Sequence, residues 1–274
     1  HYRWQAEALL DGADSLKEQI RQAGNAAGRM ELRRMEDTML WTAQNLMGTY
    51  HSLEAEQAAA SARAEAQKHL SEKVKDQEML GSSTSYHSQE AYQKWQSALN
   101  EYERLKKEQE RVRQELLLLT GFSPDSPVVL EKMPLPDVSR AALVNPQEDR
   151  QQALGNNYEL RSGRMGNAGS NQELHKKQRQ TELDENQMFA SLETLGDQIR
   201  SCQAEWEAAC AKEQAQRAVW QSAVRKREQG TMAEGEYLEI YSQYMEEKGN
   251  QAQASIRFLL AMEEYDWAKK GLMD

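Results

Sequence analysis

All five prolines of this 274-residue chain, Pro124, Pro127, Pro134, Pro136 and Pro146, fall between positions 124 and 146. Proline removes a backbone donor and clashes with the preceding helical turn. Helix is therefore barred in one central window and open to the sequence on either side. Both flanks use that freedom. From Glu31 to Leu80 the residues are mostly Ala, Glu, Gln, Lys, Arg and Met, which lose little entropy in a helix. Leu32, Met35, Met39, Ala43, Leu46, Tyr50 and Leu53 recur there at three-to-four spacing. A second amphipathic rod runs from Asn171 to Gln229 through Leu183, Met188, Leu192, Leu195, Ile199, Cys202, Trp206, Ala209 and Val219. Each rod meets a small polar segment, Gly81-Ser82-Ser83-Thr84-Ser85 or Gly230-Thr231-Met232-Ala233-Glu234-Gly235, that suits a helix reversal. Return helices are expected over 88–119 and 236–270.

These lengths imply an architecture. At about 1.5 Å per residue the rods reach about 75 and 90 Å, and the return helices cover half to two-thirds of that. Segments of about twenty residues, 4–22 and 147–164, are long enough to stack end-on and complete the second strand of each pair. An all-α fold of duplicated long hairpins follows, each one continuous helix beside two half-length helices. The duplication is visible in the letters: Gly24-Asn25-Ala26 returns as Gly166-Asn167-Ala168, Gly81 as Gly230, and Gly121 as Gly271. The expected organisation is a first repeat over 1–121 (linker 23–29, tip 81–86), a proline-rich connector over 122–146, and a second repeat over 147–274 (linker 165–171, tip 230–235).

Composition narrows the function. Only 39% of residues are hydrophobic and three are Phe, too little bulky apolar material for a thick core, so an elongated shape is expected. With 34 basic against 44 acidic side chains and net charge −10, the chain repels phosphate backbones, and no basic stretch is interleaved with aromatics. Nucleic acid is not an expected partner. No run of eighteen apolar residues offers a transmembrane helix. A first residue of His1 rather than Met is read as the mark of a removed targeting peptide. Cys202 and Cys210 lie eight positions apart on one rod, too far to bridge, and lack zinc spacing. Glu65 and His69 sit one turn apart without a second pair, so no metal site is expected. Gly163, Gly166 and Gly169 follow no strand and read as a linker rather than a phosphate cradle. No nucleophile elbow, His-Glu-x-x-His motif or cofactor motif is present. The chain is not expected to be an enzyme or to carry a cofactor.

The landmark motifs resemble those of the TolC-type outer-membrane efflux channel family. Gly81 is followed by Gln89-Glu90-Ala91, and the first repeat closes with Leu118-Leu119-Thr120-Gly121. In the second repeat, the basic run Arg225-Lys226-Arg227 precedes Gly230. Glu236 and Glu239 follow it, and Tyr265 to Gly271 closes the repeat. Ala153-Leu154-Gly155-Asn156-Asn157-Tyr158-Glu159-Leu160 is similar to the family's Ala-Leu-x-Asn-Asn-Pro-Glu-Leu, with Tyr158 in the place of proline. The family's paired membrane strands have no room in either linker, since two strands of about ten residues each are needed. The resemblance is therefore to a barrel-less or barrel-deleted member, a coiled-coil α-barrel subunit without the membrane β-barrel.

That resemblance implies a passive exit duct, three copies closing into a tube of twelve helices in the extracytoplasmic cell envelope. It implies tip-to-tip docking with the helical hairpins of a membrane-fusion adaptor, and through it an inner-membrane ABC or proton-driven transporter. Docking would use Gly81, Ser82, Ser83, Thr84, Gly230, Thr231, Met232 and Ala233. The channel entrance would be lined by Glu236 and Glu239, on one helical face, and by His87. Met232 stands where the family carries an arginine, which removes one arm of an entrance salt-bridge latch. The alternative from the residues alone is a coiled-coil spacer of the envelope with no lumen.

Overall fold

A computed structural model describes residues 14, 15, 17, 26–164 and 169–273. Its helices are α1 (Ala26–Met79), α2 (Ser85–Leu119), α3 (Val138–Ala142), α4 (Pro146–Asn156), α5 (Tyr158–Arg164), α6 (Asn171–Glu228) and α7 (Glu234–Lys270). The described residues contain no strand. Most of the expected first half-helix, 4–22, lies outside the described residues, as do linker positions 23–25 and 165–168.

The long helices follow the sequence pattern closely, and their ends have local causes. α1 begins at Ala26, so positions 26–29 of the expected linker are helical. α6 starts behind a pair of capping bonds. The Ser170 side chain accepts from the Glu173 N–H at 3.2 Å, and the Glu173 carboxylate accepts from the Gly169 N–H at 2.8 Å. The expected helix over 147–164 is instead two, broken at Asn157. This fully buried side chain accepts from the Leu160 N–H at 2.9 Å and donates to the Met273 carbonyl. It thereby caps α5 and holds the chain's C-terminal segment at once. The proline-rich connector also contains a helix, α3, capped by Asp137, whose carboxylate accepts from the Ser139 and Arg140 N–H groups.

Helices α1 and α2 pair as one hairpin, α6 and α7 as the other, and α1 packs against α7. The α1–α7 seam is antiparallel and close. A Cβ at Gly48 would lie 2.6 Å from Leu260, one at Gly249 3.3 Å from the Ala55 carbonyl, and one at Gly235 3.2 Å from His69. Glycine at these points lets the two backbones approach. Among the described residues α2 and α6 share no packed interface. The four long helices thus form an open row, α2–α1–α7–α6, with an unpaired edge at each end. The accessible surface of the chain, 17024 Å², compares with about 12,000 Å² for a compact monomer of this mass.

The thicker cores sit at the end of the row opposite the turns. One joins Leu192, Ile199, Phe258, Met262 and Tyr265 with Ala153 and Leu160 of the half-helices. The other joins Leu46, Val112, Leu116 and Leu119. Burial of each large side chain is worth about 1.5–3 kcal/mol. The connector is strapped over this end. Arg113 donates to the Ser126 and Val128 carbonyls, and the His51 Nε2 to the Glu131 carbonyl at 2.8 Å. Arg140 pairs with Glu263 at 2.8 Å and Asp266 at 2.5 Å.

Candidate docking tips and channel entrance

Both helix reversals are built the same way, 149 positions apart. Gly81 and Gly230 adopt φ of 73° and 68°, left-handed values that disfavour any residue with a Cβ. At the first tip the Gly81 N–H donates to the Glu78 carbonyl and the Ser82 N–H to the Gln77 carbonyl. At the second, Gly230 donates to Arg227 and Thr231 to Lys226, all between 2.8 and 3.0 Å. These are paired Schellman bonds, which satisfy carbonyls that a helix end leaves open. The next hydroxyl reinforces them. Ser82 Oγ and Thr231 Oγ1 donate to those same Gln77 and Lys226 carbonyls, each at 3.0 Å.

Past the turn the two tips diverge. The Thr84 hydroxyl oxygen accepts from the His87 N–H at 3.4 Å and caps α2. Ala233 makes no such bond, and Glu234 and Glu236 occupy the first turn of α7, where their charge meets the positive end of the helix dipole. Arg227 then spans the second turn, pairing with Glu234 at 2.8 Å while its guanidinium lies 4.2 Å from the Tyr237 ring centre. This clasp is a salt-bridged closure of the tip despite Met232. The sequence reading missed it, although an arginine and a glutamate on either side of a tight turn are a visible cue.

The proposed docking residues lie at the ends of the hairpins. Gly81, Ser82, Thr84, Gly230, Thr231 and Ala233 are exposed, and Ser83 and Met232 are half-buried. Ser85, Tyr86, Glu234 and Gly235, included in the expected tips, already belong to the return helices. Glu236 and Glu239 are exposed on α7, on either side of half-buried Tyr237 and buried Leu238. Neither has an ion-pair partner among the described residues. His87 is exposed and 3.9 Å from Glu90. A hydrogen bond and ion pair from Lys94 hold the Glu90 carboxyl below its ordinary range. Within one chain the three entrance residues are not brought together, because α1 separates α2 from α7. His69, dismissed as a ligand, packs against Gly235 and marks the tipward end of the α1–α7 seam. Among the described residues no cluster of His, Cys, Asp or Glu is placed to hold a metal ion.

Along the same half of the molecule, α2 and α7 rise on either side of α1 to enclose an open groove of about 680 Å³. It is walled by Glu56 and Arg63 of α1, Lys94 and Glu101 of α2, and Glu246 and Asn250 of α7. The row is therefore curved, with α1 as its floor. Two free edges and a curved, charged inner face describe a segment of a wall rather than a closed bundle.

Solved structures share this arrangement. The whole chain superposes on CusC, a protein studied for its folding and transmembrane channel formation, with a TM-score of 0.63, 14% identity and 91% of that chain covered. The chain has the helical fold of the TolC-type efflux channels. The outer-membrane channel OprN matches 98% of the chain, over 72% of its own, with a TM-score of 0.54 and 13% identity. The outer membrane protein VceC of Vibrio cholerae matches 89%, over 74% of its own, with 0.52 and 12%. No family model and no curated protein matches the sequence. Paired long helices and the half-helices α4 and α5 beside the second rod are the plan expected of the TolC-type fold.

Proposed function

We propose that this chain is the exit-duct component of a tripartite efflux or secretion system. The observation that carries the reading is the open, curved row of four long helices with two unpaired edges and two exposed tips. Such a row leaves α2 and α6 each without a neighbour on one side. Joining α2 of one copy to α6 of the next continues the wall, and three copies, the number implied by the family resemblance, close twelve long helices into a tube. The duct is passive and not an enzyme. Solute moves through the lumen while an ABC or proton-driven transporter of the inner membrane supplies the energy. The repeats 1–121 and 147–274 form the two hairpins of each copy, joined by the connector 122–146, and the assembly stands in the extracytoplasmic envelope.

Tip residues Gly81, Ser82, Ser83, Thr84, Gly230, Thr231, Met232 and Ala233 meet the hairpins of an adaptor end to end. Glu236, Glu239 and His87 of the three copies line the entrance, where rings of carboxylate raise the local cation concentration. The Arg227–Glu234 clasp sits beside this ring and keeps each second tip closed on itself.

The reading is tested by a photo-reactive residue at Thr231 in the native envelope, with the captured peptide identified by mass spectrometry. Capture of an adaptor's helical hairpin is expected. Capture of this chain alone, at good labelling, favours the coiled-coil spacer and leaves only the fold. For the entrance, Glu236→Gln with Glu239→Gln is expected to lower the cation preference of the assembled pore in conductance recordings. Unchanged selectivity removes those residues from the lining.

A further inference from the structure

The duplication supplies its own control for what the tips are for. Aligned at the 149-residue offset, Met79, Leu80 and Tyr86 of the first tip stand opposite Glu228, Gln229 and Gly235 of the second. The backbone is the same at both, with the same left-handed glycine, the same Schellman bonds and the same hydroxyl bond to the helix end. The fold therefore does not require apolar side chains at these positions. Yet Met79 is 71% exposed, Leu80 83% and Tyr86 73%, and the segment 79–86 contains no charged residue. Three large, exposed side chains flanking one turn, with Glu228, Gln229 and Gly235 at their structural equivalents, mark a contact surface. The second tip is its opposite. Arg227 is engaged within the tip by Glu234 and Tyr237. Exposed Arg225 and Lys226 have no ion-pair partner among the described residues.

Resting on the channel reading above, we infer that the two tips do different work in docking. The first tip carries the affinity, burying Met79, Leu80 and Tyr86 against the end of a partner's helical hairpin whose turn presents uncharged aliphatic side chains. The second tip carries Arg225 and Lys226 as long-range steering charges for an acidic flank of that partner. A charged turn seated directly on Met79, Leu80 and Tyr86 is disfavoured, because the segment 79–86 itself offers no counter-charge to offset its desolvation. Hydroxyl-bearing Ser82, Ser83 and Thr84 lie beside the apolar side chains and keep the end-on approach close. Contacts of this kind govern the off-rate, whereas rim charges govern the on-rate and its salt dependence.

The test places one photo-reactive residue at Leu80 and, separately, at its equivalent Gln229, in the full chain in its native envelope. The expected result is preferential capture at Leu80 of a helical-hairpin turn, with the cross-linked partner residue aliphatic. Capture of a second copy of this chain or of lipid at Leu80 overturns the inference. So does hairpin capture equal or stronger at Gln229, which leaves the channel reading standing. Absence of hairpin capture at both sites overturns the inference and the channel reading together. In parallel, Leu80→Ser is expected to shorten the lifetime of the non-covalent complex with the partner identified by capture about tenfold or more, the factor for losing one large buried apolar side chain. Arg225→Glu with Lys226→Glu is expected to leave the lifetime unchanged and to slow association at low salt. The circular dichroism of Leu80→Ser should match that of the parent, since the side chain touches little of its own fold. A lifetime unchanged in Leu80→Ser removes the apolar tip from the contact.

Discussion

Ser82 and Thr231 make the same two bonds to equivalent carbonyls, yet the seams behind them are filled in opposite ways. Toward the first tip, buried positions are small: Ala62, Ala64, Ala91 and Ala98, with Leu105 further back. Toward the second tip, Trp220 stacks on Tyr244 with ring centres 4.7 Å apart and planes within 1°, and Tyr237 and Tyr241 extend the aromatic series. Alanine seams set the helices close; aromatic seams hold them apart around large rings. The lesson is that the duplicated fold depends on the residues that fix backbone direction and leaves the seam free to be filled by either solution.

The widest contrast is expected at the closing glycines. Gly121 and Gly271 both have positive φ, 81° and 112°, but a Cβ at Gly121 meets open space, whereas one at Gly271 would lie 2.3 Å from the Asn156 carbonyl oxygen. Gly121→Ala should cost roughly 1–2 kcal/mol, the left-handed strain alone. Gly271→Ala should cost more than about 3 kcal/mol, because the backbone at the α4–α5 break must also move. Urea midpoints at unchanged slope measure both, and equal losses would dissolve the asymmetry. Next in size, Trp220→Ala should remove about 2–4 kcal/mol by truncation. In the first hairpin the damaging change is enlargement, with Ala98→Leu costing about 1–3 kcal/mol. Hydrogen exchange of the tip-half amides reports each locally; protection unaffected by Ala98→Leu would show that the alanine seam has slack.

Legibility in the sequence followed the same division. The rods, the turn glycines and the duplicated plan were readable, because helix propensity, proline placement and positive-φ glycine act within a few residues. The split at Asn157 was not. The Leu160 cap is local, but burial of Asn157 also depends on its side chain reaching Met273, a contact across more than a hundred residues that no local pattern announces. The α1–α7 seam was hidden for a similar reason, since Gly48, Gly235 and Gly249 read as scattered glycines until the opposing helix is in place. At the tips, Gly81 and Gly230 were found from spacing. The Arg227–Glu234 clasp was missed because its two members lie seven residues apart and meet only once the turn between them is formed. The exposed apolar group of Met79, Leu80 and Tyr86 was overlooked because exposure is a property of the fold.

A smaller effect is expected where the repeats are tied to each other. Tyr158, standing where the resembling family has proline, uses both groups that proline lacks. Its N–H donates to the Gly271 carbonyl at 3.2 Å and its hydroxyl to Asp37 of α1 at 2.7 Å. Burial, then the Asp37 hydrogen bond and charge, push the phenol up to about 12. The folded value lies above the unfolded one, about 10. This group's contribution is therefore complete below about pH 10 and is lost as pH rises through the folded value. Tyr158→Phe should cost about 1 kcal/mol at neutral pH. The difference between parent and variant should shrink between pH 10 and 12 in urea titrations. A difference constant with pH would mean that the Asp37 bond contributes nothing.

The smallest expected effect separates the tips themselves. Arg227 pairs with Glu234 and covers Tyr237, but both members of the pair are nearly half exposed, 46% and 44%. Solvent screening limits such a pair to about 0.5 kcal/mol, and the ring contact adds a similar amount at an exposed site. Arg227→Ala should therefore lower stability by at most about 1 kcal/mol, with part of the loss disappearing in 1 M salt, where charges are screened within about 3 Å. Glu78, the matching position of the first tip, has no ion-pair partner among the described residues, so Glu78→Ala should change stability by less than about 0.5 kcal/mol at either salt concentration. Exchange rates of the amides around Gly230 and Gly81 resolve effects of this size. Faster opening at Gly230 alone, reversed by neither temperature nor protein concentration but reduced by salt, identifies the second tip as the one held by charge. The first tip is then held by its backbone and caps, which leaves its apolar side chains free for a partner.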